Sequence, residues 1–581
     1  MRIPEERSFS APDGTSLFYR YWPAANDGPH EPRAVILLHR GHEHSGRMQH
    51  IVDELNMPGY CMFAWDARGH GRSPLKPDDR PALGTFVKDL DTFARHVSSV
   101  YGIEMENIAI VAQSVGSVLA ATWVHDYAPL IRCMVLAAPA FQVKLYVPFA
   151  RAILGLVARV MPDLQVKSYV KPAALTHDRE RIESYASDAL ITRPISVRVL
   201  LGLYSTAARV IQDAQAIQVP VQLLISGSDW VVHKRPQHEF FARLGSEIKE
   251  KHVFDGFYHD TLGERDRHLA IAKARSFLKK SFANPPTTRT GKHGFTHAEY
   301  AALRRPLPVL SVRRWIFDIT RQFLRSGGCL SNGIRLGFRT GFDSGGSLDY
   351  VYRNRPAGFT PIGRLIDWFY LNSIGWTGIR VRKQSLERAL LQTARRLREA
   401  GESVRVLDIA AGHGRYVLQA FGSNGYRPDQ ILLRDYDERN VREGAALIRE
   451  TAMCGTARFE WGDAFCRESI SALSPRPTLG IVSGLYELFA DNTLVRQSLA
   501  GLADAIPPGG YLIYTGQPWH PQLEMIARVL PSHREGRPWI MRRRTQSELD
   551  GLVADAGFRK IDQQIDNWGI FTVSVAQRVG K

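Results

Sequence analysis

Two hydrophobic patterns alternate along this chain. Short apolar runs at 34–38, 60–65, 108–111 and 221–225 carry hydrophobic side chains at successive positions, which predicts strands buried on both faces. Stretches such as 117–123, with small residues at helical spacing, lie between them. The same alternation returns after residue 400, with runs at 404–408, 430–433, 479–483 and 511–514. Sheets flanked by helices are therefore expected in both halves, which places the chain in the α/β class. Residues 6–22 read as two short strands around Pro12-Asp13-Gly14, an edge hairpin opening the first sheet. From Phe141 to about Ile211 the pattern turns helical, so this stretch is expected to form a cap over the sheet. Its face of Leu145, Val147, Phe149, Ile153, Leu154, Val157 and Val160, with Lys144, Arg151, Arg159 and Lys167 beside it, suits either a bilayer surface or packing on a core of its own.

At 581 residues the chain is too long for one core and suggests about three or four domain-sized units. The plainest boundary is Asn284-Pro-Pro-Thr-Thr-Arg-Thr-Gly291, polar and broken twice by proline. The expected organisation is a first domain at 1–283, a linker at 284–295, a basic and mostly helical region at 296–400, and a second α/β core at 401–581. Net charge is +17, and its location changes the picture: between Arg304 and Arg398 there are 18 Lys/Arg and five Asp/Glu. Such a segment attracts phosphates, on anionic lipid or on nucleic acid, unless it is only a solvated helix face. The five cysteines show neither disulfide nor zinc spacing, and His42, His44 and His70 have no carboxylate or cysteine at zinc spacing, so no metal is expected. The start Met1-Arg-Ile-Pro-Glu-Glu-Arg lacks the apolar centre of a signal, and no run of about 18 apolar residues occurs. A cytoplasmic protein, peripheral to the membrane at most, is the expectation.

The candidate nucleophile is Ser114, in Val111-Ala-Gln-Ser-Val-Gly116, where a buried strand turns sharply into a helix. An elbow of this kind lifts the hydroxyl clear of the sheet and sets the Val115 amide at a helix start, where an oxyanion can be held. An ordinary strand–turn–helix connection is the plainer alternative, and Ala112 stands where G-x-S-x-G has its first glycine. Asp229 lies after the late strand 221–225 and His259 after another strand, in the chain order Ser, Asp, His. Taken singly, Asp229 could be a turn cap and His259 a surface residue.

These residues, with His39 to Arg47, Asp66 to Ser73, Tyr185-Ala-Ser-Asp-Ala-Leu-Ile-Thr192, Ser226-Gly-Ser-Asp229 and Gly256-Phe-Tyr-His259, resemble an α/β-hydrolase of the monoglyceride lipase type, the group also called serine aminopeptidase S33-like. The resemblance runs from about Pro4 to Phe282. It implies an α/β-hydrolase fold with a helical cap, Ser114 as nucleophile, Asp229 as triad acid and His259 as general base, with the amides of Gly41 and Val115 as oxyanion donors. Such lipases carry His-Gly-x-Gly in the first loop. Arg40 and His42 occupy the two glycine positions here, which puts the Gly41 amide in question.

In the second half, Val404-Arg-Val-Leu-Asp408-Ile-Ala-Ala-Gly412-His-Gly414 is a strand entering a glycine turn, and Asp435 follows the next strand, where an acid can grip a ribose diol. With Asp463 in Gly462-Asp-Ala-Phe, these residues resemble a class I S-adenosylmethionine-dependent methyltransferase, a Rossmann-like fold, over about 404–575. The whole of 290–581 is similar to a methyltransferase family found fused behind such hydrolases. Asp408, Gly412, Gly414, Asp435 and Asp463 are then the implied cofactor-binding residues, with Ala410 replacing the first glycine. No Asn/Asp-Pro-Pro-Tyr tetrad follows the fourth strand, and Tyr486, Glu487 and His520 are candidates for an acceptor-side base, each equally readable as packing.

The expected whole is a bifunctional enzyme of lipid metabolism: a serine ester hydrolase acting on an acylglycerol or lysophospholipid, fused to a methyltransferase, with peripheral contact to an anionic membrane surface. The rival reading is an RNA- or nucleic-acid-modifying methyltransferase with an accessory or degenerate hydrolase domain; no RNA-binding module or stacking-aromatic pattern supports it.

Overall fold

A computed structural model of the protein describes residues 1–25, 31–75, 81–147, 149–161, 163–168, 170–284, 294–422, 425–451, 453–534 and 536–580. The chain divides into two compact units, Met1–Gly291 and Lys292–Lys581. The proline-broken stretch at 285–291 lies outside the described residues.

The first unit is built on strands β1 (Glu5–Ser10), β2 (Ser16–Trp22), β3 (Ala34–Leu38), β4 (Cys61–Trp65), β5 (Ile108–Gln113) and β6 (Cys133–Ala137), followed after the cap by β9 (Val221–Ser226) and β10 (Lys249–Phe254). Their order is β1-β2-β4-β3-β5-β6-β9-β10; β1 and β2 form the antiparallel edge and the sheet is parallel from β4 onward. Every residue of β3 through β6 is buried, as expected for strands covered on both faces. In an open sheet of this kind ligands bind beyond the carboxyl ends of the strands. Helix α1 (Val115–Tyr127) leaves from the end of β5. The cap comprises α2 (Ala150–Val160), α3 (Val197–Gln212) and smaller pieces, among them an antiparallel ribbon of β7 (Gln165–Lys167) and β8 (Pro194–Ser196). The cap is thus not purely helical: Gln165-Val-Lys167 alternates exposed and half-buried positions, a two-residue period that suits a ribbon.

The second unit is a seven-stranded sheet of β11 (Arg405–Asp408), β12 (Gln430–Asp435), β13 (Ala457–Trp461), β14 (Leu479–Val482), β15 (Tyr511–Gly516), β16 (Phe558–Ile565) and β17 (Thr572–Arg578). The order is β13-β12-β11-β14-β15-β17-β16, parallel except for β17, which enters antiparallel beside β15 and pairs with β16. The topology reverses at β11, so the crevice beyond β11 and β12 is where a ligand is expected.

The helical region before this sheet belongs to its core. Helix α8 (Ile374–Glu399) contributes Leu386, Ala389, Leu390, Ala394 and Leu397 to the cluster that holds Val406, Ile431 and Ile481 of the central strands. The glycine-rich stretch 341–350 runs into a helix, α6 (Gly345–Arg353). Ser344 caps it, accepting from the Ser347 amide at 3.2 Å. Before α6 lie α4 (Val312–Ser326) and α5 (Asn332–Thr340), and after it α7 (Pro361–Leu371).

Two candidate active sites

Ser114 stands between β5 and α1 with φ 55° and ψ −115°, a backbone conformation that costs a non-glycine residue free energy and persists because its surroundings hold it. Its amide donates to the Ala137 carbonyl at 2.9 Å and its carbonyl accepts from the Ala140 amide at 3.1 Å, while Ser117 Oγ donates to the Ala112 carbonyl at 2.9 Å. The turn also needs Gly116. A Cβ there would lie 2.7 Å from the His39 carbonyl oxygen and 2.8 Å from that of Leu38. Ala112 meets no such limit, and the elbow forms without the first glycine of the motif.

The structure brings Ser114, His259 and Asp229 together. His259 Nε2 lies 2.8 Å from Ser114 Oγ, and His259 Nδ1 lies 2.8 Å from Asp229 Oδ2. The other oxygen, Asp229 Oδ1, accepts from the amides of Val231 at 2.7 Å and Val232 at 2.9 Å. Burial works to raise the Asp229 carboxyl, and the imidazole together with these amides outweighs it, so the group sits below its usual value and faces His259 as a carboxylate. The loop carrying His259 is pinned by its neighbour: Asp260 accepts from Gln113 Nε2 at 2.7 Å and from Arg181 at 3.0 and 3.1 Å.

Arg40 and His42 do not displace Gly41 from the site, and the reason is visible in their side chains. Arg40 turns into a buried ion pair with Glu43 at 2.9 Å and lies 5.0 Å over the Tyr185 ring. Glu43 also pairs with Arg47 at 2.6 Å, and His44 Nε2 lies 2.9 Å from Asp188 Oδ2. The stretch 185–192 is therefore a clamp between the cap and the first loop. His39 Nε2 accepts from the Ala67 amide at 3.1 Å, which leaves its Nδ1 as the donor to the Arg40 carbonyl at 2.7 Å. That bond fixes the 40–41 peptide, whose N–H points opposite to its carbonyl. His42 adopts φ 71°, so the left-handed backbone that a glycine takes easily is kept at this position by a histidine.

Over the dyad lies a cavity of about 950 Å³. Ser114, His259, Gly41 and Val115 are at its base, and Leu145, Val147, Leu154, Leu200 and Leu203 of the cap are among its mostly apolar walls. Phe149, Ile153 and Val160 of the same apolar face are exposed to solvent. Among the described residues no group of three or more His, Cys, Asp or Glu is arranged to hold a metal ion.

A second cavity, of about 830 Å³, opens beyond β11 and β12. Gly412 and Gly414, at φ 58° and 72°, line it together with Asp435 and Asp463. Asp435 Oδ2 accepts from the Gly412 amide at 2.9 Å, and Oδ1 from the Asp437 amide at 2.9 Å and Asn440 Nδ2 at 3.0 Å. Burial raises this carboxyl above its usual value. Asp463 accepts from the Phe465 amide at 2.9 Å. Asp408 is fully buried behind the turn and bonded to the Tyr416 hydroxyl; burial pushes it up to about 7 against that bond. It supports the glycine turn from beneath and does not line the cavity.

The structure does not bring the three acceptor-base candidates to this cavity. The Tyr486 hydroxyl is buried against Ser498 Oγ at 3.0 Å, and Glu487 lies 3.7 Å from Arg382. His520 is buried near Gly375, lowered by burial to about 4, and its Nδ1 accepts from the Gln522 amide. Residues without a motif take their place. Asp343, Gly345, Asp349 and Tyr352, in or just before α6, line the cavity with Arg382 of α8 and His533 and Arg534 of a late loop. Asp349 is paired with Arg415 at the turn. Asp343 Oδ1 lies 3.1 Å from His533 Nδ1, and Asp343 Oδ2 accepts from Ser532 Oγ at 2.6 Å. Arg382 is 4% exposed, and its Nε has no hydrogen-bond partner among the described residues.

The fold and the two sites define a fusion of an α/β-hydrolase with a methyltransferase, and comparison with known proteins agrees. Residues 29–266 match the family described as "Serine aminopeptidase, S33", and residues 274–578 match the one described as "Putative methyltransferase". The second match spans more than half of the chain, which belongs to that methyltransferase family and carries the hydrolase domain in front of it. The protein YnbC of Escherichia coli (strain K12) is 54% identical over 586 residues, 99% of either chain. A monoacylglycerol lipase of Mycolicibacterium smegmatis is 25% identical over 279 residues, covering 47% of this chain and 96% of its own. Among solved structures, the Paleococcus ferrophilus monoacylglycerol lipase covers 48% of this chain and 99% of its own at 21% identity, with a TM-score of 0.40.

Proposed function

We propose that the first unit is a serine ester hydrolase acting on a monoacylated lipid. The observation that carries this is the unbroken line from Asp229 through His259 to Ser114 beneath a cavity walled by apolar cap residues. His259 Nε2 takes the Ser114 proton as the hydroxyl attacks the ester carbonyl, then returns it to the departing alcohol, while Asp229 holds the ring. The amides of Val115 and Gly41 stabilise the oxyanion, a contribution of about 2.7–4 kcal/mol per donor in comparable sites. The similarity to a monoacylglycerol lipase favours an acylglycerol or lysophospholipid. A fluorophosphonate probe should label the native chain and not Ser114→Ala, and native protein should release fatty acid from monoacylglycerol. Labelling that survives in Ser114→Ala would overturn the assignment.

The second unit is read as an S-adenosylmethionine-dependent methyltransferase, and the residues around its cavity fit that cofactor. Asp435 faces the cavity as a half-buried acceptor suited to a ribose diol, Asp463 with Phe465 suits the adenine side, and the Arg382 guanidinium in the cavity lining suits a carboxylate. S-adenosylmethionine, when bound there, supplies an electrophilic methyl group. Asp343 orients His533, whose Nε2 then receives the proton an acceptor hydroxyl loses. Calorimetric titration with S-adenosylmethionine tests the pocket: binding by the native chain, lost in Asp435→Ala, supports it, and equal binding by both rejects it.

A further inference from the structure

A surface helix ordinarily turns its apolar stripe inward. Two helices of the second unit carry a second apolar stripe that faces outward. Helix α4 buries none of its residues, and its Val312, Trp315, Ile316, Ile319 and Phe323 form one stripe that is 55% to 73% exposed. The opposite side is the one that is held: Phe317 and Leu324 are half-buried there, Leu324 against the core, and Arg321 donates to the Arg528 carbonyl, while Arg313 pairs with Glu524. Helix α7 likewise exposes a second apolar stripe. It buries Gly363, Asp367 and Leu371 and exposes Ile362, Leu365, Trp368 and Phe369. Asp367 accepts from the Ser331 and Tyr350 hydroxyls and from the Gly333 and Ala357 amides, while a Cβ on Gly363 would meet the Leu330 carbonyl oxygen at 2.4 Å. The helix is thus docked through the side that carries Asp367, Gly363 and the core residues Ile366, Tyr370 and Leu371, while a second apolar stripe faces out. Both helices pack on the turn Gly327–Leu330, so the two stripes belong to one region.

Arginines accompany the stripes. Arg339, Arg355 and Arg364 are exposed and have no carboxylate partner among the described residues, and Arg335 lies 4.1 Å over the exposed Phe359 ring. Aromatic and aliphatic side chains beside unpaired guanidinium groups match a lipid interface with anionic headgroups, where rings sit at headgroup depth and arginines meet phosphates. A second copy of the chain is a poorer occupant, because a twofold contact would set the same arginine excess against itself. We infer that α4 and α7 dock this protein on an anionic phospholipid surface. The inference stands apart from both catalytic readings and is tested without either activity.

The test is flotation of the full chain with vesicles of phosphatidylcholine alone or with about one third phosphatidylglycerol. The native chain should float with the anionic vesicles, less at high salt, and not with phosphatidylcholine alone. Phe323→Glu/Phe369→Glu should lower the bound fraction about tenfold or more, and Arg339→Glu/Arg364→Glu by about tenfold, both at an unchanged melting temperature. A Phe149→Ser/Val160→Ser cap variant should float as the native chain does. Absence of flotation, flotation unaffected in the stripe variants, or loss confined to the cap variant would overturn the proposal. So would a sedimentation-velocity dimer that the stripe variants dissociate.

Discussion

Ser114 and Asp435 both stand at the carboxyl end of a parallel strand, and the chain treats them oppositely. Ser114 is fully partnered: His259 meets its hydroxyl, Asp229 meets His259, and two amides meet Asp229. Asp435 is held by amides and a carboxamide, pairs with no cation among the described residues, and is raised by burial; across its cavity Arg382 keeps an orphaned Nε. The first site holds all of its reacting groups in protein. The second presents a carboxylate, a glycine turn and a guanidinium to an open cavity of about 830 Å³.

The largest predicted effect attacks the completed site. Gly116→Ala forces a Cβ against two carbonyl oxygens, so kcat/KM for ester hydrolysis should fall by at least about a hundredfold, with binding to the second cavity untouched. In the other cavity, His533→Gln should cost about a hundredfold in kcat for methyl transfer while leaving cofactor affinity unchanged. Loss of affinity in place of rate would make His533 a binding residue.

Legibility follows the same division. Ser114, Asp229 and His259 stand out in sequence because a triad needs three residue types in one chain order, each at the end of a recognisable strand. Gly412, Gly414 and Asp435 stand out because a glycine turn and an acid after the next strand have one geometric use. Arg382, Asp343 and His533 do not, because they come from a basic helical region and a late loop whose residue types occur anywhere on a surface, and only packing brings them to one cavity. Tyr486 and His520 were prominent for their chemistry, yet the fold spends them inside the protein. Gly345 at the start of α6 does stand at a close approach, which only packing reveals: a Cβ there would meet the Asn440 side chain, which in turn donates to Asp435.

Smaller effects sharpen the contrast. Asp408 is raised from 3.8 to about 7, so the stability it contributes is complete below its unfolded value and lost as pH rises through about 7. The second unit should therefore be less stable at alkaline than at mildly acidic pH, by on the order of a few kcal/mol, and Asp408→Asn should flatten that slope in chemical denaturation. Smallest is His42→Gly, which relieves a left-handed histidine and should raise the melting temperature of the first unit by an amount corresponding to about 1 kcal/mol, with hydrolysis retained.

The central claim is that one chain carries two independent catalysts. It is tested most directly by measuring ester hydrolysis and S-adenosylmethionine binding side by side in Ser114→Ala and Asp435→Ala. The account predicts that each variant loses one activity and keeps the other at the native level; both activities falling together in either variant would contradict it.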